Sequence, residues 1–205
     1  MKILLVMILS YLFGSVSWAL VIGKVFYHKD IRKEGSGNLG ATNAGRVLGR
    51  PAGVAVTLLD ALKALLSMWI AHMIVPGTEI FAGLACCIGH CFPVFAGFKG
   101  GKAVATSFGF MLGIVLFLTG QWLWGFVLPV VSFFLILYLT KMVSVSSLLS
   151  ILTEVIASFV LAFSGKIDIM IPCALLVLWL FVTWRHRANI GRVMNGTESK
   201  IKWMG

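Results

Sequence analysis

The residues best suited to chemistry lie in three short stretches, each mixing glycine, small hydrogen-bonding side chains and fixed positive charge. The first is EGSGNLGATNAGRVLGR, Glu34–Arg50, with five glycines in it. Gly35, Gly37 and Gly40 permit backbone conformations barred to other residues and let a ligand come close to the amides. Ser36, Asn38, Thr42 and Asn43 offer neutral hydrogen-bonding groups, and Arg46 offers a planar guanidinium fork. Thr42 or Asn43 could also cap the helix that follows, whose N-terminus would favour an anion. A flexible turn would not need so many donors.

The second stretch is GHCFPVFAGFKGGKAVAT, Gly89–Thr106. Gly100 and Gly101, followed by Lys102 and an apolar run, obey the logic of a phosphate-binding loop: freed amides, a helix start and a lysine as point charge. The stretch is not a Walker motif, because Ala96 occupies the leading glycine position and Ala103 follows the lysine. Lys99 equally suits a basic turn, and His90 alone fits a histidine at a helix end. The third stretch, RHRANIGRVMNGTESK, spans Arg185–Lys200 and mixes cations with His186, Asn189 and Glu198. By itself it fits a juxtamembrane lipid anchor. Taken together, the three stretches are explained most economically by a shared anion site.

The elements that position them are written in the composition. The chain has 205 residues, 60% hydrophobic and 12% charged, against roughly half and a quarter in soluble domains. Ile3–Gly23, Pro51–Val75, Ile80–Phe98, Met142–Ser164 and Ile169–Trp184 are apolar runs with few or no charges. Ala103–Thr140 carries no charge and suits two spans joined near Gly120–Gln121. A span takes about 20 helical residues, and backbone in lipid must satisfy its own hydrogen bonds. The expected fold is an all-α integral membrane protein with seven transmembrane helices, as a single domain over residues 1–205. Lys24, Lys29, Arg32 and Lys33 follow the first run, which is longer than a signal-peptide core and reads as a retained helix.

Seven spans place the termini on opposite sides. Fourteen basic residues, among them Lys24, Arg46, Lys102, Lys141, Arg192, Lys200 and Lys202, then share one side, and Lys2 and Lys166 the other. By the positive-inside rule the N-terminus is outside, the C-terminus is cytoplasmic, and all three polar stretches are cytoplasmic loops. The net charge of +10 partly follows from that rule and also suits anionic membrane lipids. With no separate basic domain, it argues against a nucleic acid partner.

Within the spans, Asp60 and Lys63 stand at i, i+3 and can pair on one helix face. Glu154 is alone in its span; it could be protonated or meet Lys63. Cys86, Cys87, His90 and Cys91 resemble a metal cluster only on paper, since adjacent cysteines cannot share a helical face. They read as packing residues, and no metal or cofactor is expected. An H-x4-D acyltransferase pattern is absent: Lys33, Gly77, Phe95 and Gly191 stand five positions after the four histidines.

GSGNLGATN, GHCFPVFAGFKGGKAVAT and NIGRVMNGTESK, in this order and over nearly the whole chain, resemble the bacterial acyl-phosphate:glycerol-3-phosphate acyltransferase family. Ser199 departs from the proline expected there. The resemblance implies a multi-pass enzyme of the bacterial inner or plasma membrane, with its active site at the cytoplasmic face. It would move an acyl chain from acyl phosphate to the sn-1 hydroxyl of glycerol 3-phosphate, giving lysophosphatidic acid and phosphate, the first acylation of phospholipid synthesis. A further implied partner is the acyltransferase that makes acyl phosphate from acyl carrier protein.

By that similarity Ser36, Arg46, Lys102, His186 and Asn189 are the catalytic candidates. Gly35, Gly37, Asn38, Gly40, Thr42, Asn43, His90, Lys99, Gly100, Gly101, Thr106, Arg192, Glu198 and Lys200 are the substrate-binding candidates. Gly100, Gly101 and Lys102 would serve one phosphate, and Arg46 with Arg192 the other. Glu198 would tie the C-terminal segment to nearby cations. Acyl phosphate is a mixed anhydride with phosphate as leaving group, so no acyl-enzyme is needed; the hydroxyl proton would pass to a substrate phosphate oxygen or to His186. The competing class is a membrane transporter for an organic phosphate, which should show a polar path and repeated halves. No internal repeat is visible.

Overall fold

The computed structural model describes residues 1–201, and all regular structure among them is helical. Lys202, counted above with the inner-side cations, lies outside the described residues. Two compact units divide the chain, Met1–Gly113 and Ile114–Gly205. The first contains α1 (Lys2–Gly14), α2 (Trp18–Tyr27), α3 (Ala41–Val47), α4 (Arg50–Ile74), α5 (Glu79–Cys91) and α6 (Val104–Ile114). The second begins with two π-helical turns, Val115–Thr119 and Leu123–Val127, followed by α7 (Leu128–Thr140), α8 (Val143–Phe163), α9 (Met170–Arg185) and α10 (Arg187–Met194).

Five helical stretches are long and apolar enough to cross a bilayer: Lys2–Tyr27, Arg50–Ile74, Glu79–Ala96, Leu123–Thr140 and Val143–Phe163. Val104–Thr119 and Met170–Arg185 are shorter apolar helices. Their patterning is the reverse of a soluble bundle. Leu58, Leu139, Val160 and Phe163 turn outward, while Asp60, Lys63, Ser147, Ser150 and Glu154 are buried. Ser147 Oγ donates back to the Val143 carbonyl at 2.7 Å, so this hydroxyl is satisfied within its own helix.

Two boundaries differ from the apolar runs, each for a local reason. Ile3–Gly23 is two helices instead of one. Ser15 Oγ donates back to the Tyr11 carbonyl (2.8 Å) as α1 ends, and Ser17 caps α2 by accepting the Leu20 N–H (3.4 Å). The third run ends as α-helix at Cys91 instead of reaching Phe98, because Pro93 cannot continue it; a single 3-10 turn, Val94–Ala96, follows. The break inside Ala103–Thr140 falls at Gly120–Gln121 as expected, with Gly120 left-handed at φ 66°.

In the first unit, Ala19, Ile22, Ile31, Leu39, Ala44, Leu48 and Val56 form a buried apolar cluster. Because Ile31 and Leu39 belong to it, the polar loop between them is pinned at both ends. Tyr11 Oη donates to the Phe92 carbonyl at 2.8 Å, fastening α1 to the chain just beyond α5.

Candidate active site

Between Ile31 and Leu39 the backbone is shaped by Asn43, whose side chain is 1% exposed. Its Oδ1 accepts the Ser36 N–H at 2.9 Å, and its Nδ2 donates to the carbonyls of Ile31 (3.3 Å) and Glu34 (3.2 Å). Those bonds fold the loop into left-handed turns at Gly35 (φ 60°) and Gly37 (φ 68°), conformations that favour glycine. The expected helix cap by Thr42 or Asn43 does not occur. The N-cap of α3 is Gly40 with no side-chain bond, and Thr42 and Asn43 lie within its first turn. Glycine is itself a favoured N-cap, and Gly40, extended at φ -124°, takes that position. Thr42 and Arg46, four residues apart on α3, are exposed, as is Ser36.

Two basic residues at the loop entrance have acidic partners. Arg32 Nη2 is 2.6 Å from Asp30 Oδ2, and Lys29 Nζ is 3.5 Å from Glu34 Oε2. The hydrogen bonds from Arg32 hold the Asp30 carboxyl well below the usual carboxylate range.

The second stretch leaves α5 through Pro93 and re-enters helix at Val104. Its backbone is left-handed at Gly97 and, unusually, at Phe98 (φ 61°) and Ala103 (φ 58°), conformations that cost L residues energy and cluster at functional loops. Gly101 N–H donates to the His90 carbonyl at 3.1 Å. A Cβ at Gly100 would strike that carbonyl, and one at Gly101 would strike the His90 ring at Nε2. These two positions therefore admit only glycine. Lys99 is exposed, whereas Lys102 is half-buried two residues before α6; Thr106 is fully buried in the first turn of that helix.

His90 is held from its other side. Its Nδ1 lies 2.9 Å from Lys63 Nζ, which also sits 2.8 Å from Asp60 Oδ1 and donates to the Val16 carbonyl at 3.0 Å. The expected Asp60–Lys63 pair is present, and the break between α1 and α2 supplies the third neighbour. Lys63 is thus engaged within the first unit by the Val16 carbonyl, His90 and the Asp60 carboxylate, and Glu154, in the second unit, has an Oε2 without a hydrogen-bond partner among the described residues.

In the second unit, α9 ends at His186, where α10 begins. His186 Nδ1 lies 2.8 Å from the Val182 carbonyl. A carbonyl only accepts, so Nδ1 carries a proton and the neutral ring keeps its lone pair on Nε2. Asn189 and Arg192, one turn apart on α10, meet on Glu198. Glu198 Oε1 accepts from Asn189 Nδ2 (2.6 Å) and from Ser144 Oγ (2.6 Å), and Oε2 accepts from Arg192 Nε (2.8 Å). Partial burial raises the Glu198 carboxyl, but the bonds from Ser144, Asn189 and Arg192 outweigh it and hold it below its usual value. The Ile201 N–H donates to the Lys141 carbonyl at 2.8 Å, tying down the same segment. Lys200 is exposed.

Within the first unit, then, Asn43 joins Ser36, and His90 joins Gly100, Gly101, Asp60 and Lys63. Within the second, Asn189, Arg192 and Glu198 form one network. Sequence reading did not find Ser144 or the link from Lys63 to His90. Ser144 looked like one more serine of an apolar helix, and Lys63 and His90 sit on different helices with no shared motif. Cys86 and Cys87 are free and buried, Cys91 is buried, and Cys173 is free and exposed.

Comparison with known proteins follows this geometry closely. Residues 4–196 match the family model of glycerol-3-phosphate acyltransferase. A glycerol-3-phosphate acyltransferase of Listeria monocytogenes is 44% identical over 207 residues, covering 99% of this chain and 98% of the relative. The crystal structure of PlsY, an integral membrane glycerol 3-phosphate acyltransferase, in its glycerol 3-phosphate form superposes with a TM-score of 0.85 at 32% identity, covering 98% of this chain and 96% of PlsY. The lysophosphatidic acid form of PlsY superposes with a TM-score of 0.83 at 31% identity, covering the same shares. This chain, a multi-pass membrane acyltransferase, belongs to the glycerol-3-phosphate acyltransferase family.

Proposed function

We propose that the enzyme transfers an acyl chain from acyl phosphate to the sn-1 hydroxyl of glycerol 3-phosphate, giving lysophosphatidic acid and inorganic phosphate. The observation that carries this reading is the Gly100–Gly101–Lys102 turn, braced against His90 and flanked by left-handed Phe98 and Ala103. A turn built at such conformational cost, with a half-buried lysine before a helix, suits a phosphate better than a mere connection. The relative captured in glycerol 3-phosphate and lysophosphatidic acid forms supports the acceptor and product.

In this reading Gly100, Gly101 and Lys102 receive one substrate phosphate, with Lys99 and Thr106 alongside. Arg46, assisted by Ser36, Asn38, Gly35, Gly37, Gly40 and Thr42, serves a phosphate from the first loop; Asn43 acts by shaping that loop. On α10, His186, Asn189 and Arg192 serve the reacting groups, with Glu198 and Lys200 fastening the segment. The acceptor hydroxyl attacks the acyl carbonyl, the C–O bond to phosphate breaks, and the phosphate leaves with the bonding pair. Positioning and charge stabilisation supply the rate, with no covalent acyl-enzyme. The hydroxyl proton passes to a substrate phosphate oxygen. A second reading sends it to His186 Nε2, favoured by the bond from Nδ1 to Val182.

The whole chain acts as one acyltransferase domain with seven spans, N-terminus outside and the three loops cytoplasmic, in a bacterial plasma membrane. Its acyl phosphate comes from an acyltransferase that acts on acyl carrier protein. The donor is tested by offering purified protein palmitoyl phosphate and palmitoyl-CoA separately, with product regiochemistry read by NMR. Acylation at sn-1 from palmitoyl phosphate alone is expected; equal rates from both donors, or a 2-acyl product, would contradict it.

A further inference from the structure

Asp60, Lys63 and His90 form a buried polar cluster, of which only His90, the brace of the glycine turn, has so far entered the acyl transfer. Their side chains are between 1% and 6% exposed. An ammonium has three N–H donors and no acceptor. Lys63 has three neighbours within reach: Asp60 Oδ1 at 2.8 Å, His90 Nδ1 at 2.9 Å and the Val16 carbonyl at 3.0 Å. An ammonium only donates, so at 2.9 Å His90 Nδ1 is the acceptor and its proton resides on Nε2; the Val16 carbonyl takes a second N–H, and Asp60 meets the ammonium as an ion pair. Charge counting agrees. One carboxylate already balances one ammonium, and a second cation on His90, only 3.5 Å from Asp60 Oδ1 and 2.9 Å from Lys63, would be uncompensated in a buried site.

The other end of the ring meets the glycine turn. Nε2 lies where a Cβ of Gly101 would be, and the Gly101 N–H is bonded to the His90 carbonyl. The alternative tautomer would turn a lone pair toward this turn and repel an anion there. The Nε2–H tautomer turns a neutral donor toward it instead.

We propose that Asp60 and Lys63 are positioning residues for acyl transfer: they lock His90 as the neutral Nε2–H tautomer, and the locked ring sets the Gly100–Gly101–Lys102 turn for a substrate phosphate. This rests on the reading of that turn as a phosphate site. Asp60 balances the lysine's charge, Lys63 selects the tautomer, and His90 transmits both to the loop.

Protein labelled with 15N-histidine, with the His90 signals identified by their loss in His90→Gln, tests the tautomer directly. An unprotonated Nδ1 and a protonated Nε2 are expected between about pH 6 and 8, where free histidine titrates. A protonated Nδ1 or a cationic ring overturns the proposal, whatever any variant does. The double variant Asp60→Leu/Lys63→Met leaves no unpaired buried charge, so it should fold. Calorimetry would compare its Kd for glycerol 3-phosphate and for inorganic phosphate with those of wild type and Lys102→Ala. The ligand weakened by Lys102→Ala should also be weakened about tenfold or more in the folded double variant, as expected of a misplaced site, and the other ligand should bind normally. Wild-type Kd values for both ligands in the folded double variant overturn the positioning role alone. Wild-type Kd values in Lys102→Ala overturn the phosphate site on which it rests.

Discussion

Lys99 and Lys102 stand three positions apart in the same turn, yet their surroundings separate them. Lys99 is exposed; Lys102 is half-buried beside the braced glycines and just before α6. Removing Lys102 should therefore lower kcat/KM by about a hundredfold or more, the usual loss for one charge-stabilising donor, with an unchanged melting temperature. Lys99→Ala should stay within a few-fold of wild type, because an exposed charge is well screened. Steady-state kinetics on both variants decide it, and similar losses in the two would erase the distinction. Ser36 offers a second test. Its backbone, not its hydroxyl, is what Asn43 holds, so Ser36→Ala should still form product, and intact-protein mass spectrometry should find no acyl adduct on wild type. The buried pair gives a third: Lys63→Met strands the Asp60 carboxylate and should cost about 3–5 kcal/mol of stability, read as a clear drop in melting temperature. At this scale much was legible. Asp60 and Lys63 announced themselves by i, i+3 spacing, and the three loops by their glycines and cations. His90's attachment to Lys63 was not, since the contact depends on how α4 and α5 are rotated against one another.

At the scale of elements, the C-terminal segment after α10 is fastened by the Glu198 carboxylate to Ser144, Asn189 and Arg192, and by backbone bonds from Thr197 to Arg192 and from Ile201 to Lys141. The Glu198 carboxyl is held below its unfolded value by those three donors, against the opposing effect of its partial burial. A depressed carboxyl contributes its full stabilisation above the unfolded pKa and loses it as pH falls through the lower folded pKa. Protease resistance of this segment should thus be constant through neutral and mildly acidic pH and collapse only below the usual glutamate range. Glu198→Gln should lower that resistance already at neutral pH, by about 1–3 kcal/mol for the charged hydrogen bonds lost. A variant as resistant as wild type would show that the segment is held by something else. The helices themselves were readable from uncharged length, and the turn at Gly120–Gln121 from its residues. The break at Ser15–Ser17 was not, because the run stays uncharged through it and only local serine bonds, with Lys63 taking the freed Val16 carbonyl, make it stable.

For the molecule as a whole, the proposed orientation makes a labelling prediction. In a cysteine-free background, Lys166→Cys should react with an impermeant maleimide on intact cells, and Arg50→Cys only after the membrane is opened. Reaction of both in intact cells would reverse or break the topology that places the loops in the cytoplasm. The central claim is tested most directly by purified protein in vesicles given palmitoyl phosphate and radiolabelled glycerol 3-phosphate. Labelled lysophosphatidic acid and inorganic phosphate should appear together in a one-to-one ratio. Phosphate released without lysophosphatidic acid, or labelled glycerol 3-phosphate crossing the vesicle wall unacylated, would contradict the account.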